Sequence, residues 1–170
     1  VIYGWGINQG KQVTIEAGTI IKIRHNYSIT VEGELILDGT SEKPVIFTSY
    51  YDDTAGGDTD GSAYSPSTSP WRNITVKSGG KLVCSYTKIL YAGYNSSNAI
   101  NIEEGGKAEI IDSVINNFIG TGINNNGELK LQGSNISGSG TYPIIVPCYG
   151  ASTFIECSGN TFSDNKYNGI

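Results

Sequence analysis

Residues 29–49 read ITVEGELILDGTSEKPVIFTS, and this stretch decides the fold. Apolar and polar residues alternate in three short runs, ITV, ELIL and PVIFTS, which is the period-two pattern of β-strands. Glycine and other turn-forming residues separate the runs, so each break between them indicates a corner. This single stretch therefore predicts three short strands joined by two corners.

The same unit recurs along the chain as an apolar-x-apolar run, a break that contains small or polar residues, and a second apolar run. It begins at six leading residues: Val13, Ile29, Ile74, Ile100, Ile123 and Ile144. They lie 16, 45, 26, 23 and 21 residues apart, and Ile170 stands 26 residues further on, where it could start another unit. The first interval predicts a short first coil. The interval of 45 corresponds to one period of about 24 residues plus an insertion of about 21, which we place at residues 50–71.

An additional apolar anchor follows each of the later units: Ile89, Ile115, Ile136 and Phe162. Each period therefore holds about three strands, and a coil this short buries its apolar face only by stacking on neighbouring coils. We predict an all-β, right-handed parallel β-helix of about six coils, with Val31, Val76 and Ile102 above one another inside it. The alternative is an antiparallel sandwich, which would contain hairpins but would not repeat the whole three-strand unit.

The phrases VTIEAGTIIKI (13–23) and ITVEGELILDGTSEKPVIFTSYYDD (29–53) resemble right-handed parallel β-helix proteins of the pectate-lyase-like superfamily, and within it bacterial secreted and surface β-helix repeats. In such proteins GTxxxPVIFTS marks the third strand, and a Gly/Asp insertion that ends at an aromatic residue precedes the next coil. The resemblance covers roughly residues 12–120. It implies the fold and an extracellular, secreted or cell-surface location. It implies no single activity, because this fold carries enzymes, adhesins and phage spikes.

Length and charge narrow the classes of function. A chain of 170 residues is about one domain, and we assign residues 1–170 to a single β-helix. The net charge of −5, without a run of Lys or Arg, disfavours nucleic acid as a partner. No stretch approaches 18 consecutive apolar residues, so we predict no membrane span. Since the chain opens at Val1 and stops at Ile170 inside a strand-like run, we expect a fragment of a longer protein with neighbouring domains.

The three cysteines, Cys84, Cys148 and Cys157, lack the spacing of a metal site. We predict that they are small buried side chains within strands, as free cysteines often are. The alternative is one disulfide bond with a remaining free thiol, and the spacing does not decide which two residues would pair.

The residues indicate no catalytic site. His25 is the only histidine, and it lies in a predicted surface corner. Lyases of the resembled superfamily use a basic residue to abstract a sugar proton, with arginine or calcium to neutralise the uronate. Arg24 and Arg72 lie far apart in the sequence, and no carboxylate cluster stands beside them. Its hydrolases need paired carboxylates, and Asp52-Asp53 stands here without the GHG and RIK segments that accompany them. We predict a non-catalytic protein, with a polysaccharide lyase or glycoside hydrolase as the alternative.

The insertion at 50–71 is rich in aspartate and glycine, which raises the question of a metal. Four carboxylates could supply oxygen ligands to a structural calcium ion: Asp52, Asp53, Asp58 and Asp60. The segment does not fit an EF-hand, because the first and twelfth ligand positions fall on Gly56 and Ser67. The alternative is a polar loop whose aspartates cap turns. We expect no other cofactor.

Aromatic residues bracket the insertion and continue into the next coil. We predict that they form a surface that binds a polysaccharide: Tyr50, Tyr51, Tyr64, Trp71, Tyr86, Tyr91 and Tyr94. Aromatic rings pack on the apolar faces of sugars while a phenol or indole still forms hydrogen bonds. Cellulose or another plant glycan is the expected ligand, and through its aromatic-rich insertion the chain resembles, without a matched motif, the cellulose-binding tapirins as one candidate family. The alternatives are that Trp71 only pins the loop, and that the whole chain is a structural stalk.

Overall fold

A computed structural model of the chain describes residues 1–67, 70–138, 140–146 and 154–167. These residues form eighteen strands in six coils of three strands, together with one 3₁₀ turn at Tyr94–Ser96. The strands of coils 1 to 3 are β1 (Trp5–Ile7), β2 (Gln12–Glu16), β3 (Ile20–Ile23), β4 (Ile29–Val31), β5 (Glu34–Asp38), β6 (Val45–Ser49), β7 (Ile74–Val76), β8 (Lys81–Ser85) and β9 (Thr87–Leu90). The strands of coils 4 to 6 are β10 (Ile100–Ile102), β11 (Lys107–Ile111), β12 (Val114–Asn116), β13 (Ile123–Asn125), β14 (Glu128–Gln132), β15 (Asn135–Ser137), β16 (Ile144–Ile145), β17 (Phe154–Ser158) and β18 (Thr161–Ser163).

Strands at equivalent places in successive coils form three parallel sheets of six strands. Sheet 1 has the order β1-β4-β7-β10-β13-β16, sheet 2 the order β2-β5-β8-β11-β14-β17, and sheet 3 the order β3-β6-β9-β12-β15-β18. Every strand pair in these sheets is parallel, and each strand pairs only with the equivalent strand of an adjacent coil. The chain is therefore a parallel β-helix, and the antiparallel sandwich is excluded.

The predicted columns of apolar side chains are present inside the coils. Val31 lies opposite Val76, and Val76 lies opposite Ile102, all three fully buried. The leading isoleucines also lie opposite one another through the sheet: Ile29, Ile74, Ile100, Ile123 and Ile144. In coil 5 the valine column continues as buried Asn125, whose side-chain oxygen accepts a hydrogen bond from the Gly127 amide.

The prediction of a short first coil is wrong. Trp5, not Val13, occupies the leading position, because Trp5 pairs with Ile29 and Ile7 pairs with Val31. Val13 lies in the second strand of coil 1 and pairs with Leu35. The first strand reads Trp-Gly-Ile, and its partly exposed tryptophan and central glycine conceal the apolar-x-apolar pattern of the later coils.

Three corners connect the sheets in every coil. Corner 1 leads from sheet 1 to sheet 2, corner 2 from sheet 2 to sheet 3, and corner 3 from sheet 3 to the next coil. At corner 1, Gly79 has a φ of 79°, in the left-handed region that favours glycine. The next residue, Gly80, lies so close to the preceding coil that a methyl group there would overlap the carbonyl oxygen of Val31. Gly79 is thus favoured by its backbone conformation, and Gly80 is required by the close approach of the preceding coil.

At corner 2 a ladder of buried polar side chains links the coils. The amide of Thr87 donates to Ser113 Oγ at 3.0 Å, and the amide of Ser113 donates to Ser134 Oγ at 3.1 Å. The amide of Ser134 in turn donates to Asn160 Oδ1 at 2.9 Å. Each corner amide is therefore satisfied by a side chain of the next coil, as a buried backbone donor requires.

The cysteines follow the prediction in part. Cys84 lies fully buried in β8, and burial raises the pKa of its thiol to about 12. Cys157 in β17 is exposed, so the prediction of a buried thiol is wrong there. It continues the inward column of Cys84, Ile110 and Leu131, but β17 is the last strand of sheet 2 in the described residues, so no further strand covers it. Cys148 and Ile170 lie outside the described residues. In the part of the chain that the structure describes, no helix has the length and apolar character needed to cross a membrane.

Candidate functional site

The insertion lies at corner 3 of coil 2, between β6 and β7. Corner 3 of coil 1 holds residues 24–28, and corner 3 of coil 3 holds residues 91–99, which include the 3₁₀ turn. Side chains of these three segments are neighbours because the coils stack directly on one another. This corner is therefore where distant parts of the sequence meet on the surface.

A buried lysine anchors the insertion from beneath. Lys22 of β3 is only 4% exposed, and its ammonium group donates hydrogen bonds to Gly57 O and to Thr59 Oγ1, the latter at 3.1 Å. The hydroxyl of Tyr50 donates to Thr59 O at 3.3 Å. An ammonium group hidden from water needs such acceptors. The loop backbone is consequently shaped around the side chain of Lys22.

Asp52 is part of the same anchor and not of a surface site. Its side chain is fully buried, Thr48 Oγ1 donates to Oδ2 at 2.6 Å, and the amide and hydroxyl of Thr54 donate to Oδ1. The prediction that Asp52 ligates calcium together with the other aspartates is wrong, because its oxygens are occupied and it lies outside the aspartate cluster at the loop surface.

Trp71 closes the insertion from inside the solenoid. It is fully buried in the apolar core, and its indole Nε1 donates to Leu90 O at 2.8 Å. The alternative interpretation, that Trp71 pins the loop, fits this position. The prediction that Trp71 faces a ligand is wrong, since burial leaves neither ring face free.

Five tyrosines and one arginine form a continuous surface at corner 3, here called the tyrosine face: Tyr3, Tyr27, Arg24, Tyr50, Tyr51 and Tyr64. Neighbouring rings contact edge to face, with centroid distances of 5.8 Å for Tyr3–Tyr27, 5.2 Å for Tyr50–Tyr51 and 5.5 Å for Tyr51–Tyr64. Tyr64 is 66% exposed at the outer end. Edge-to-face packing fixes the rings while it leaves parts of their faces open.

Arg24 joins the two halves of the tyrosine face. Its guanidinium carbon lies 4.9 Å from the ring centroid of Tyr3 and 4.4 Å from that of Tyr50. The hydrogen bond with Tyr50 is the main cause that raises the pKa of Arg24. Within the described part of the chain no carboxylate forms an ion pair with Arg24. Among the described residues, the contacts of Arg24 are thus cation–π contacts with Tyr3 and Tyr50 and not an ion pair.

The other predicted aromatic residues are divided between two places. Tyr94 also lies at corner 3, where its ring contacts that of His25 edge to face at 4.3 Å. Tyr91 precedes it, and both tyrosines are half-buried. Tyr86 does not share this wall, because it follows β8 at corner 2, on another edge of the solenoid. The prediction of one surface for all seven residues is therefore wrong for Tyr86 as well as for Trp71.

Sequence reasoning missed Tyr3, Tyr27 and the role of Arg24. The stacking register would have indicated Tyr3 and Arg24, because Ile23 pairs with both Ile2 and Ser49. The residues that follow these three, Arg24, Tyr3 and Tyr50, therefore form one column across successive coils. An alignment of the repeats from Trp5 would have revealed this column.

Three aspartates of the insertion come together at the loop surface. Oxygen atoms of Asp53, Asp58 and Asp60 all lie within 4.8 Å of one another. Asp58 Oδ1 already accepts hydrogen bonds from the amides of Gly61 and Asp60, which lower the pKa of Asp58. These are the turn-capping bonds of the alternative interpretation. A calcium ion at this cluster stays a prediction.

Comparison with protein-family models, with curated proteins and with solved structures found no match.

Proposed function

We propose that this chain is a non-catalytic, extracellular carbohydrate-binding module that attaches to an insoluble plant polysaccharide such as cellulose through the tyrosine face. The observation that carries the proposal is the unbroken run of rings from Tyr27 to Tyr64, with Arg24 between its halves. Aromatic contact with the apolar faces of sugar rings is the main source of affinity in such a site.

The polar groups of the tyrosine face suit a neutral, hydroxyl-rich ligand. Phenol hydroxyls donate and accept hydrogen bonds, and the guanidinium of Arg24 adds donors that no carboxylate of the described residues pairs with. Successive coils lie about 4.8 Å apart, which is comparable to the length of one sugar unit in an extended chain. A polysaccharide that runs along the solenoid would meet rings from neighbouring coils at this corner, from Tyr3 and Tyr27 to Tyr50.

The anchoring of the insertion supports the same proposal. Lys22 and Asp52 are buried beneath the loop, and Trp71 fastens its end to the core. A binding surface held rigid before the ligand arrives loses less conformational entropy on binding. The buried anchors thus explain how a long loop can present Tyr51 and Tyr64 in a defined arrangement.

Pull-down on microcrystalline cellulose, chitin and pectin tests the proposal. We expect the intact chain to sediment with at least one polymer, and the double variant Y51A/Y64A to lose about 90% of the bound fraction, as for the loss of a binding hot spot. The matched control is Y142A/Y167A. These two tyrosines are also exposed, but their rings stack on each other at 4.9 Å at the far end of the solenoid.

Each result decides between the proposed function and its alternatives. Binding by the control but not by Y51A/Y64A supports the tyrosine face. Absence of binding by the intact chain would favour the alternative that the chain is a structural stalk. Release of unsaturated or reducing sugars into the supernatant would identify a lyase or a glycoside hydrolase, and the proposal would be abandoned.

A further inference from the structure

Corner 2 carries an unusual pair of residues on the edge of the solenoid away from the tyrosine face. The residue after the sheet-2 strand has a positive φ in each of coils 3 to 6: 44° at Tyr86, 48° at Asp112, 59° at Gly133 and 64° at Gly159. Coils 5 and 6 thus place glycine there, the residue that adopts this conformation without strain. Coils 3 and 4 place Tyr86 and Asp112 in the same position.

The backbone does not explain the tyrosine at this position. Tyrosine at positive φ is strained by about 1–2 kcal/mol, and the glycines of the neighbouring coils show that no side chain is needed to form this corner. Strained residues that persist in a fold are often part of a functional site. The side chain of Tyr86 therefore needs a role outside the corner itself, and Asp112, whose residue type adopts positive φ more readily, is its hydrogen-bond partner.

Both side chains line a groove of about 400 Å³. Lys88 and Val114 of sheet 3 form part of its floor, and the loop at residues 40–44 of coil 2 forms its opposite wall. This volume lies at the lower end of the range for small-molecule sites. The groove therefore has the size of a site for one or two sugar units.

The loop that forms this wall is held in place on both sides. Lys43 O accepts hydrogen bonds from the amides of Thr40 and Gly18, at 3.1 and 3.0 Å, which ties the loop to coil 1. The amide of Gly39 donates to Ser85 O at 3.0 Å, which ties it to coil 3. The groove is consequently formed before any ligand binds.

The groups in the groove are those that recognise sugar hydroxyls. The carboxylate of Asp112, which accepts a hydrogen bond from the Tyr86 hydroxyl, raises the pKa of Tyr86, and the charge of Glu42 adds to this effect. The Ser41 hydroxyl donates to Glu42 at 2.6 Å and lowers the pKa of that carboxyl. Glu42 therefore stays charged at neutral pH, and Lys88 supplies a donor. Two carboxylates together disfavour an acidic sugar by charge repulsion.

We propose that the groove between Glu42, Tyr86, Lys88 and Asp112 is a second binding site, which takes one or two neutral sugar units. The carboxylates accept hydrogen bonds from ligand hydroxyls, the Lys88 ammonium donates to a ligand oxygen, and the ring of Tyr86 packs on an apolar sugar face. This site is separate from the tyrosine face and accepts a soluble saccharide.

Titration of the ¹⁵N-labelled chain with neutral disaccharides tests the second site. Cellobiose, xylobiose, mannobiose and chitobiose are the probes, and digalacturonic acid is the charged comparison. We expect at least one neutral disaccharide to shift the amide signals of Tyr86, Lys88 and Asp112, and digalacturonic acid to leave them unchanged. The absence of a shift with all four neutral probes would overturn the proposal, as would a stronger response to digalacturonic acid.

Two variants separate a binding role from a structural one. Tyr86→Gly places at this corner the residue that coils 5 and 6 use, so we expect equal or higher thermal stability and about tenfold weaker binding. Asp112→Asn tolerates the positive φ and removes the charge, and we expect weaker binding from it as well. Unchanged affinity in both variants would contradict the proposal. If Tyr86→Gly lowers the thermal stability, the role of Tyr86 is structural. The affinity of Asp112→Asn for the disaccharide then tests the proposal alone.

The two proposed sites can fail independently. Tyr86→Gly should still sediment with the insoluble polymer, and Y51A/Y64A should still bind the disaccharide. Loss of both activities in either variant would show a common structural cause and contradict the assignment of two sites.

Discussion

Adjacent glycines at corner 1 differ in what they contribute to the fold. Gly79 has a left-handed backbone, and no atom lies within 4 Å of the place where a Cβ would stand. Gly80 has no such conformation, but its missing side chain allows the backbone of coil 3 to approach Val31 O of coil 2. Space between coils, and not chain flexibility, is the constraint at Gly80.

Gly80→Ala should therefore destabilise the protein more than a substitution at Gly79. The added methyl group must push two hydrogen-bonded coils apart, at about 3 kcal/mol, the upper range for overpacking. Gly79→Asn is the control, because asparagine adopts positive φ more readily than other residues with side chains, and we expect less than about 1 kcal/mol from it. Urea denaturation followed by circular dichroism measures both, and equal losses of stability would contradict the assigned roles.

At the scale of the element, the insertion depends on buried charge. Lys22 reaches from β3 into the loop of the next coil, and its ammonium donates hydrogen bonds to Gly57 O and to the side chain of Thr59. It also lies near enough to Asp58 to help lower the pKa of that carboxyl. The conformation of the loop is thus determined in part by a residue of the preceding coil.

Lys22→Met should loosen the insertion and leave the coils intact. Methionine keeps the length and apolar stem of lysine but leaves Gly57 O and Thr59 Oγ1 without their charged donor. We expect the loop to be cleaved by protease about ten times faster, which corresponds to the loss of about 1.4 kcal/mol of local stability. Lys11→Met, at an exposed position, is the control. Equal cleavage of the two variants would show that Lys22 does not hold the loop.

The same cleavage assay tests the predicted calcium ion. If Asp53, Asp58 and Asp60 bind calcium, added CaCl₂ should slow cleavage of the insertion relative to EGTA, because binding stabilises the ordered loop. Asp60→Asn should abolish the difference. Identical cleavage of the unmodified chain with CaCl₂ and with EGTA would refute the calcium prediction.

At the scale of the whole molecule, stacking explains which features the sequence predicts. The columns through Val31, Val76 and Ile102 are visible in the sequence, because inward positions are apolar in most coils, with buried Asn125 as the exception in this column. Outward residues carry no such constraint. Tyr3, Arg24 and Tyr50 become neighbours only through the exact register of three coils, and the unrecognised first strand at Trp5–Ile7 concealed that register.

The same reason applies to Trp71 and to the groove at corner 2. The sequence does not show whether an aromatic residue next to a strand points inward or outward. The burial of Trp71 is decided by the fold of the insertion. Glu42, Tyr86 and Asp112 come from three coils, and no single segment of the sequence shows them together. Sites formed between coils are therefore predictable only after the register is known.

Stacking also determines how far the destabilising effect of a substitution extends along the solenoid, and the ladder at corner 2 offers a test. Ser113→Ala removes the acceptor of the Thr87 amide, which is left buried and unsatisfied at about 1–3 kcal/mol. Since each coil pairs only with its neighbours, hydrogen exchange should accelerate in coils 3 to 5 and remain unchanged in coils 1 and 2. Ser78→Ala, at an exposed corner, is the control and should leave hydrogen exchange unchanged in both groups of coils. Uniform acceleration in all six coils would instead show that the solenoid unfolds as one cooperative unit, because a local defect would then lower the stability of every coil equally.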